Sequence, residues 1–436
     1  MFGVSSLAFG VFCAAGEGGG RTQPINLAAV MRLAGAESLE IKLAEQRVAE
    51  ARAAHEEALL QFFPYLTPGV TLRRHEGNIQ DVAGAIIETN KQSLSVGASV
   101  NLQVALGDAI YQSMVARRLV AAARHGAEAQ RQDTIFRAVS AYFDLVLTRA
   151  AGGVGRESVR IADSYSGELG RAVEAGIAFK GDSFRAVAQA ERDRLSLRQA
   201  TEQQRVAAAR LAQVLAISPL IELVPESAEP APIEFPEAGR GLEELAAQAL
   251  TTRPELRQSE AQVAAAAKAR DGAKYAPLIP TVRADYFGGG LGGGVYANGF
   301  GDSFNDSAEY GIGLSWRLGP GGLFDFSRVH AREARLRLSE LEQARLRDEI
   351  ARQVVEAHTR VGSLRDQIGY AAKALSSAEQ SLTLARQRQQ FGVGEVLENI
   401  QAAQDLTRAR LDYLTAITEQ NRAQFALRRA VGSGGK

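Results

Sequence analysis

Residues 93–104 read Ser-Leu-Ser-Val-Gly-Ala-Ser-Val-Asn-Leu-Gln-Val. Leu94, Val96, Ala98, Val100, Leu102 and Val104 fall on one face of an extended chain, and Ser93, Ser95, Gly97, Ser99, Asn101 and Gln103 on the other. Successive side chains of a strand point to opposite faces, so this stretch predicts a strand with one apolar and one wet side. Residues 309–318 repeat the design, with Tyr310, Ile312, Leu314, Trp316 and Leu318 against Glu309, Gly311, Gly313, Ser315 and Arg317. Two weaker partners set Val70 and Leu72 against Thr71 and Arg73, and Val282, Ala284 and Tyr286 against Thr281, Arg283 and Asp285. Strands of about ten residues with this alternation match a membrane barrel, apolar to lipid and polar to lumen. A soluble antiparallel sheet with one wet face alternates in the same way. Lipid is favoured because the two hairpins have no obvious apolar partner layer. Aromatics also gather at the strand ends (Phe62, Phe63, Tyr65, Tyr286, Phe287, Trp316, Phe324), as an interfacial girdle requires.

Four strands cannot close a barrel, and open strand edges are not tolerated in lipid, so closure demands several copies of the chain. The wet faces then line a lumen, which makes Arg73, Arg283, Asp285 and Arg317 the candidate lumen residues. The hairpin loops at 74–92 and 287–308 would face outward, the second being rich in glycine and polar residues.

Helical patterning fills the rest. A helical segment covers 26–62 and ends at Pro64 and Pro68. After the first strands comes a very long helix over 108–175, a glycine turn from Gly176 to Gly181 and a helix to 217. The same order returns as a helix over 241–274, strands, a long helix over 325–390, a turn at Gly392–Gly394 and a helix over 396–430. At about 1.5 Å per residue the first long helix is roughly 100 Å in length, and the shorter ones about 55 Å, so two stacked end to end match it. Gly176 and Gly392 stand 216 positions apart, as do Ala186 and Ala402. These offsets predict a two-fold internal repeat. The expected organisation is an export-signal-like or disordered N-terminus (1–25), a first repeat (26–218), a Pro-rich linker (219–240), a second repeat (241–431) and a flexible tail (432–436). Residues 1–15 are mildly apolar and end in Cys13-Ala14-Ala15, a loose fit to a cleavage site, although no Lys or Arg precedes Arg21. Phe12 is too bulky to suit a lipidated Cys13.

Composition removes several function classes. The 436 residues carry 50 basic and 50 acidic side chains, without the basic excess that nucleic-acid binding needs. Cys13 is the single cysteine, so neither an internal disulfide nor a cysteine-rich metal site can form. His55, His75, His125, His330 and His358 have no ligand spacing on one helix. Gly288-x-Gly290-x-x-Gly293 fits a dinucleotide pattern by letter, yet it leads into a strand instead of a helix. No run of about 18 apolar residues offers a transmembrane helix. Neither catalysis nor a cofactor is expected.

The duplicated plan resembles TolC-like outer-membrane efflux proteins over nearly the whole chain after about residue 25. Arg253-Pro254-Glu255-Leu256 resembles that family's N-P-E-L helix start, with a degenerate counterpart in Glu37-Ser38-Leu39-Glu40. Arg388-Gln389-Gln390-Phe391-Gly392, followed by Val396-Leu397, resembles its R-x-x-x-G at the periplasmic tip. In the first half Arg171 lies five residues before Gly176 instead of four. The resemblance implies a mainly α fold with a membrane β-barrel part. A long α-helical barrel would join four β-strands per chain, closed into a barrel by trimerisation. It also implies a homotrimer in the Gram-negative outer membrane, in contact with lipid, docked to a periplasmic adaptor protein and an inner-membrane transporter. The tip candidates are Gly176, Gly181, Arg388, Gly392, Gly394, Val396 and Leu397. The implied activity is a passive exit duct for a tripartite efflux or type I secretion system. A periplasmic adaptor or soluble coiled-coil scaffold would share the helical seams.

Overall fold

A computed structural model of the chain describes residues 22–36, 38–295, 304–391 and 394–433. The export-signal reading, Cys13 and Gly392 lie outside these residues. The chain is mainly helical. It begins with β1 (Thr22–Ile25), α1 (Leu27–Ala36) and α2 (Leu39–Leu60). Strands β2 (Tyr65–His75), β3 (Asn78–Gln80), β4 (Ile86–Glu88) and β5 (Lys91–Ala105) follow. Then come the long α3 (Leu106–Glu174), α4 (Lys180–Val214) and β6 (Glu222–Pro225). The remainder is α5 (Leu242–Thr252), α6 (Pro254–Tyr275), β7 (Thr281–Val295), β8 (Asn305–Ser315), α7 (Phe326–Gln390) and α8 (Val396–Val431).

Two helices expected to be continuous are broken. Ser38 separates α1 from α2, its carbonyl accepting from the Ile41 and Lys42 amides and its hydroxyl from the Glu40 amide at 3.4 Å. Serine holds such a start because its side chain satisfies an amide that the first turn leaves free. Pro254 occupies the first turn of α6 and lacks the amide that a helix running on from α5 would need.

The chain divides into two compact units that cut across the sequence halves. The first holds the described residues up to Lys42, with Gln130–Thr252 and the chain from Arg352 onward. Its core joins Val30 and Ala34 of α1, Val139, Tyr142, Leu145 and Val146 of α3, Leu211 and Leu215 near the end of α4, and Phe425 of α8. The α3 positions recur every three or four residues, which places them on one helix face. Residues 22–25 were expected in an unstructured N-terminus and β6 within a linker; instead they pair in parallel, Thr22 with Glu222 through Ile25 with Pro225. The segment after β6 lies against α8. Asn421, fully buried, accepts the Ile233 amide at 2.7 Å and donates to the Ala231 carbonyl at 2.8 Å. Phe235 stands edge-on to Phe425 with ring centres 4.9 Å apart.

The second unit, Leu43–Ala129 with Arg253–Ala351, contains one antiparallel sheet of order β2-β5-β7-β8. Side chains directly opposite each other share a face. Leu66, Val70 and Leu72 of β2 oppose Val100, Val96 and Leu94 of β5, while Val282, Ala284 and Tyr286 of β7 oppose Leu314, Ile312 and Tyr310 of β8. The predicted apolar face therefore crosses all four strands. In the single chain it is bare on the edge strands, where Val70 is 68% exposed, Tyr310 85% and Ile312 87%, while Val104 at the end of β5 is buried. β2 and β8 form the two open edges.

Two boundaries differ from expectation. Gly288–Gly294, read as loop, belongs to β7 and pairs with Ala98 back to Gln92 of β5. Glycine suits this stretch because neighbouring backbones approach closely. A Cβ at Gly289 would lie 2.2 Å from the Val96 carbonyl oxygen, and one at Gly97 would lie 2.5 Å from that of Gly288. The outer segment expected as a plain loop at 74–92 holds a short hairpin, β3 with β4.

Candidate functional site

The candidate residues fall into two groups, one in each unit. In the first unit, α3 ends in a glycine cap. Gly176 has φ +76°; its amide donates to the Val173 carbonyl at 3.0 Å, and the Ile177 amide reaches the Ala172 carbonyl at 2.8 Å. This double bond pattern satisfies the last free carbonyls of a helix, and the left-handed residue that it needs is least strained as glycine. Gly181 is the second residue of α4, where an added Cβ would meet the Phe179 ring at 2.5 Å. Ile177, Phe179 and Phe184 are left largely exposed around this turn.

The turn between α7 and α8 is built differently. The Gly394 amide donates to the Arg388 carbonyl at 3.1 Å, and a Cβ at Gly394 would stand 2.7 Å from the Gln389 backbone nitrogen. Arg388 Nη1 donates to Glu398 Oε1 at 2.9 Å, and Asn399 Nδ2 donates to Gln389 Oε1. Two side-chain staples thus cross one turn. Val396 opens α8, and its carbonyl accepts from the Tyr165 hydroxyl of α3 at 3.4 Å. Leu397 is half exposed. Buried Leu382 and Ala385 of α7 pack with Ala402 and Leu406 of α8 beyond the staples.

Sequence reasoning missed the polar layer behind these turns. Gln189 and Asp193 of α4, Ser158 and Tyr165 of α3, and Asn399 and Gln404 of α8 line one partly enclosed cavity of about 30 Å³. Gln189 Nε2 donates to Asp193 Oδ1 at 2.9 Å, and Gln404 Nε2 donates to Gln189 Oε1 at 2.6 Å. Burial raises the Asp193 carboxyl above the usual range, opposed by hydrogen bonds from Ser158 and Gln189. Burial likewise raises the Tyr165 hydroxyl. Helical period alone does not say which polar side faces a neighbouring hairpin, so no signal in the sequence marks this layer.

In the second unit, Arg73, Arg283 and Asp285 sit at odd positions of β2 and β7, on the polar face with Ser93, Gln103 and Asn101 opposite them. Arg283 Nε lies 3.5 Å from Asp285 Oδ1, two residues along the same strand. Arg317, expected within the alternation, stands past the end of β8 at Ser315. Its carbonyl accepts the Leu323 amide at 2.8 Å, so it belongs to the glycine turn that leads into α7. Gly288, Gly290 and Gly293 are ladder residues of β7. Among the described residues no group of three or more His, Cys, Asp or Glu could hold a metal ion. None of the described helices is long and apolar enough to cross a membrane, which says nothing of strands.

Residues 245–433 match the family model described as outer membrane efflux protein. The protein CyaE of Bordetella pertussis is 29% identical over 315 residues, 70% of this chain and 63% of CyaE. The chain therefore spans less than two-thirds of that relative's length. The outer membrane protein VceC of Vibrio cholerae shares the fold with a TM-score of 0.78 at 18% identity, over 94% of this chain and 97% of that one. The CmeC outer membrane channel of Campylobacter jejuni does so with 0.77 at 15% identity, over 94% and 86%. The resemblance to TolC-like proteins is thus found both in the family match and in the fold.

Proposed function

We propose, for a chain whose residues 245–433 match the outer membrane efflux protein family, that it is one subunit of an outer-membrane channel. The channel is the passive exit duct of a tripartite efflux or type I secretion system. One observation carries this reading: a four-stranded sheet with an apolar face, bare on the edge strands, a polar face on the other side, and two open edges. In water such a face is a liability, and its open edges invite pairing with other chains. In lipid the face is solvated by acyl chains, and copies pairing edge to edge satisfy β2 and β8. Three copies give about twelve strands, within the range of closed barrels.

The rest of the reading follows from that arrangement. The matching order of helix, strands, long helix, turn and helix in each half supports a two-fold internal repeat. Arg73, Arg283 and Asp285 then line the lumen, with Arg317 at its inner rim. The turns at Gly176–Gly181 and Arg388–Leu397 form the periplasmic tip that meets an adaptor and, through it, an inner-membrane transporter. Energy for transport comes from that transporter, since the chain holds no phosphate-binding loop.

The test is the protein mass in detergent extracts of outer-membrane fractions, corrected for bound detergent. A stable particle of three protomer masses is the expected result. A monomer that stays in solution without detergent would overturn the lipid reading of the sheet and favour a soluble scaffold.

A further inference from the structure

The polar layer behind the two turns has features that a solvated helix face lacks. Asp193 belongs to a chain of polar contacts that links α4 to α3 and α8. It accepts from Gln189 on its own helix and from the Ser158 hydroxyl of α3. Gln189, 8% exposed, accepts from Gln404 of α8, and Thr407 of α8 donates to Ser158 Oγ at 3.2 Å. The cavity beside these contacts is walled by Ile161, Leu382 and Ile400, and the buried Asn399 Oδ1 has no partner. A half-buried carboxylate thus lines a partly enclosed cavity where the α3–α4 hairpin meets the α7–α8 hairpin.

Few charges face it. From α3, Asp163 adds a like charge but is paired with Arg194 at 3.0 Å, and Tyr165 presents a hydroxyl. From α4, Arg192 donates to Gln189 at 3.4 Å. From α7, Arg386 lines the cavity, and α8 lends it only neutral Asn399, Ile400, Ala403 and Gln404. The first cause acting on Asp193 is desolvation, which disfavours its charged form and outweighs the hydrogen bonds that favour it.

We propose that Asp193 is a proton-operated catch between the two hairpins, holding them together when neutral and easing them apart when ionised. The direction follows from linkage. A group that binds its proton more tightly in the packed state than in water stabilises packing at low pH, and this stabilisation is lost as pH rises through its packed-state value. Separation of the hairpins admits water to the carboxylate and relieves the burial penalty of the ionised form. The catch rests on the tip reading given above, because it governs the ends of the same hairpins.

Hydrogen exchange of the full chain, corrected for intrinsic rates, would be followed at both turns from about pH 7.5 down to about pH 4, the ordinary Asp value. The wild type is expected to gain several-fold protection as pH falls. Asp193→Asn, permanently neutral, is expected to match the acid form at every pH. Ser158→Ala removes a bond that favours the ionised form, and should move the transition to higher pH. An Asp193→Asn variant that keeps the wild-type pH dependence would overturn the catch. Single-channel conductance in planar bilayers reads the tip separately. If exchange depends on Asp193 but conductance does not, the catch stands and the tip is not the gate.

Discussion

Arg388 and Glu398 pair at 2.9 Å across the turn from α7 to α8, with side chains 57% and 37% exposed. The cation is therefore engaged within its own chain and is not merely a solvated charge at a helix end. Exposed pairs of this kind contribute about 0–1 kcal/mol, so Arg388→Ala should leave the unfolding midpoint nearly unchanged. If, as proposed, this turn meets an adaptor and the pair sets its shape, cross-linking to that adaptor falls in Arg388→Ala and returns when the charges are exchanged as Arg388→Glu with Glu398→Arg. Should the exchanged variant remain as defective as the single one, Arg388 acts on the partner directly.

The glycine that caps α3 gives a sharper structural prediction. At φ +76° Gly176 has no close neighbour to clash with a new Cβ, so any penalty is conformational. A β-branched residue in this region costs about 1–3 kcal/mol. Gly176→Val should lower stability by that amount in denaturant titrations and loosen the turn. Gly176→Asn should lose much less, since asparagine tolerates the left-handed region. Equal losses would point to the side chain's size and away from its backbone.

Asn421 is the clearest test of how the segment after β6 is held. Its buried amide satisfies one backbone donor and one backbone acceptor of that segment, while Gln424 accepts the Phe235 amide at 3.3 Å. Asn421→Ala leaves the Ile233 amide and the Ala231 carbonyl without partners, and each unsatisfied buried group costs about 1–3 kcal/mol. A loss of about 2–4 kcal/mol is expected, together with faster exchange at Ile233. A change below about 0.5 kcal/mol would mean that water replaces the side chain there.

How far these features could be read in advance depends on the range of the interaction that makes them. The alternation in 93–104 and 309–318 is local, and it matches the apolar face of β5 and of β8 as far as Ser315, with 316–318 past the strand end. The weaker alternation in 281–286 puts Arg283 and Asp285 on the opposite face of β7. The long helices were legible because the glycine turns at Gly176–Gly181 and Gly392–Gly394 follow them. What escaped was pairing at a distance. Thr22–Ile25 is too short to declare itself, and becomes a strand only through Glu222–Pro225. Gly288–Gly294 carries no side-chain pattern, and its extended state comes from the β5 and β8 ladders on either side. The Asp193 network needed five residues from three helices, none of which is distinctive alone.

The proposed lipid exposure of the sheet predicts a strong asymmetry between faces. Ile312 and Ala284 are opposite on the apolar side, whereas Asn101 and Asp285 are opposite on the polar side. Arginine at the middle of a lipid-facing strand costs about 2–4 kcal/mol, while a lumen position tolerates it. Ile312→Arg should therefore reduce recovery of folded protein from outer membranes, and Asn101→Arg should not. Similar recovery of both variants would argue for a water-exposed sheet.

Asp325 sets the acid response of the strand-to-helix corner. Its Oδ1 accepts the Arg328 amide at 3.0 Å and its Oδ2 accepts the Gly321 amide at 2.8 Å, so one carboxylate both caps α7 and closes the glycine turn before it. These two backbone bonds, Gly321 first, hold its carboxyl below the usual aspartate range. A depressed value in the folded state gives a contribution that is complete above the unfolded value of about 3.9 and is lost as pH falls through the folded one. Asp325→Asn keeps an acceptor for one amide but loses the negative charge favoured at a helix start. The variant should be less stable than the wild type at about pH 6, with the gap narrowing as pH falls below the unfolded value of about 3.9. Denaturant midpoints measured across that window decide the matter, and a gap that stays constant would assign the acid response to other carboxylates.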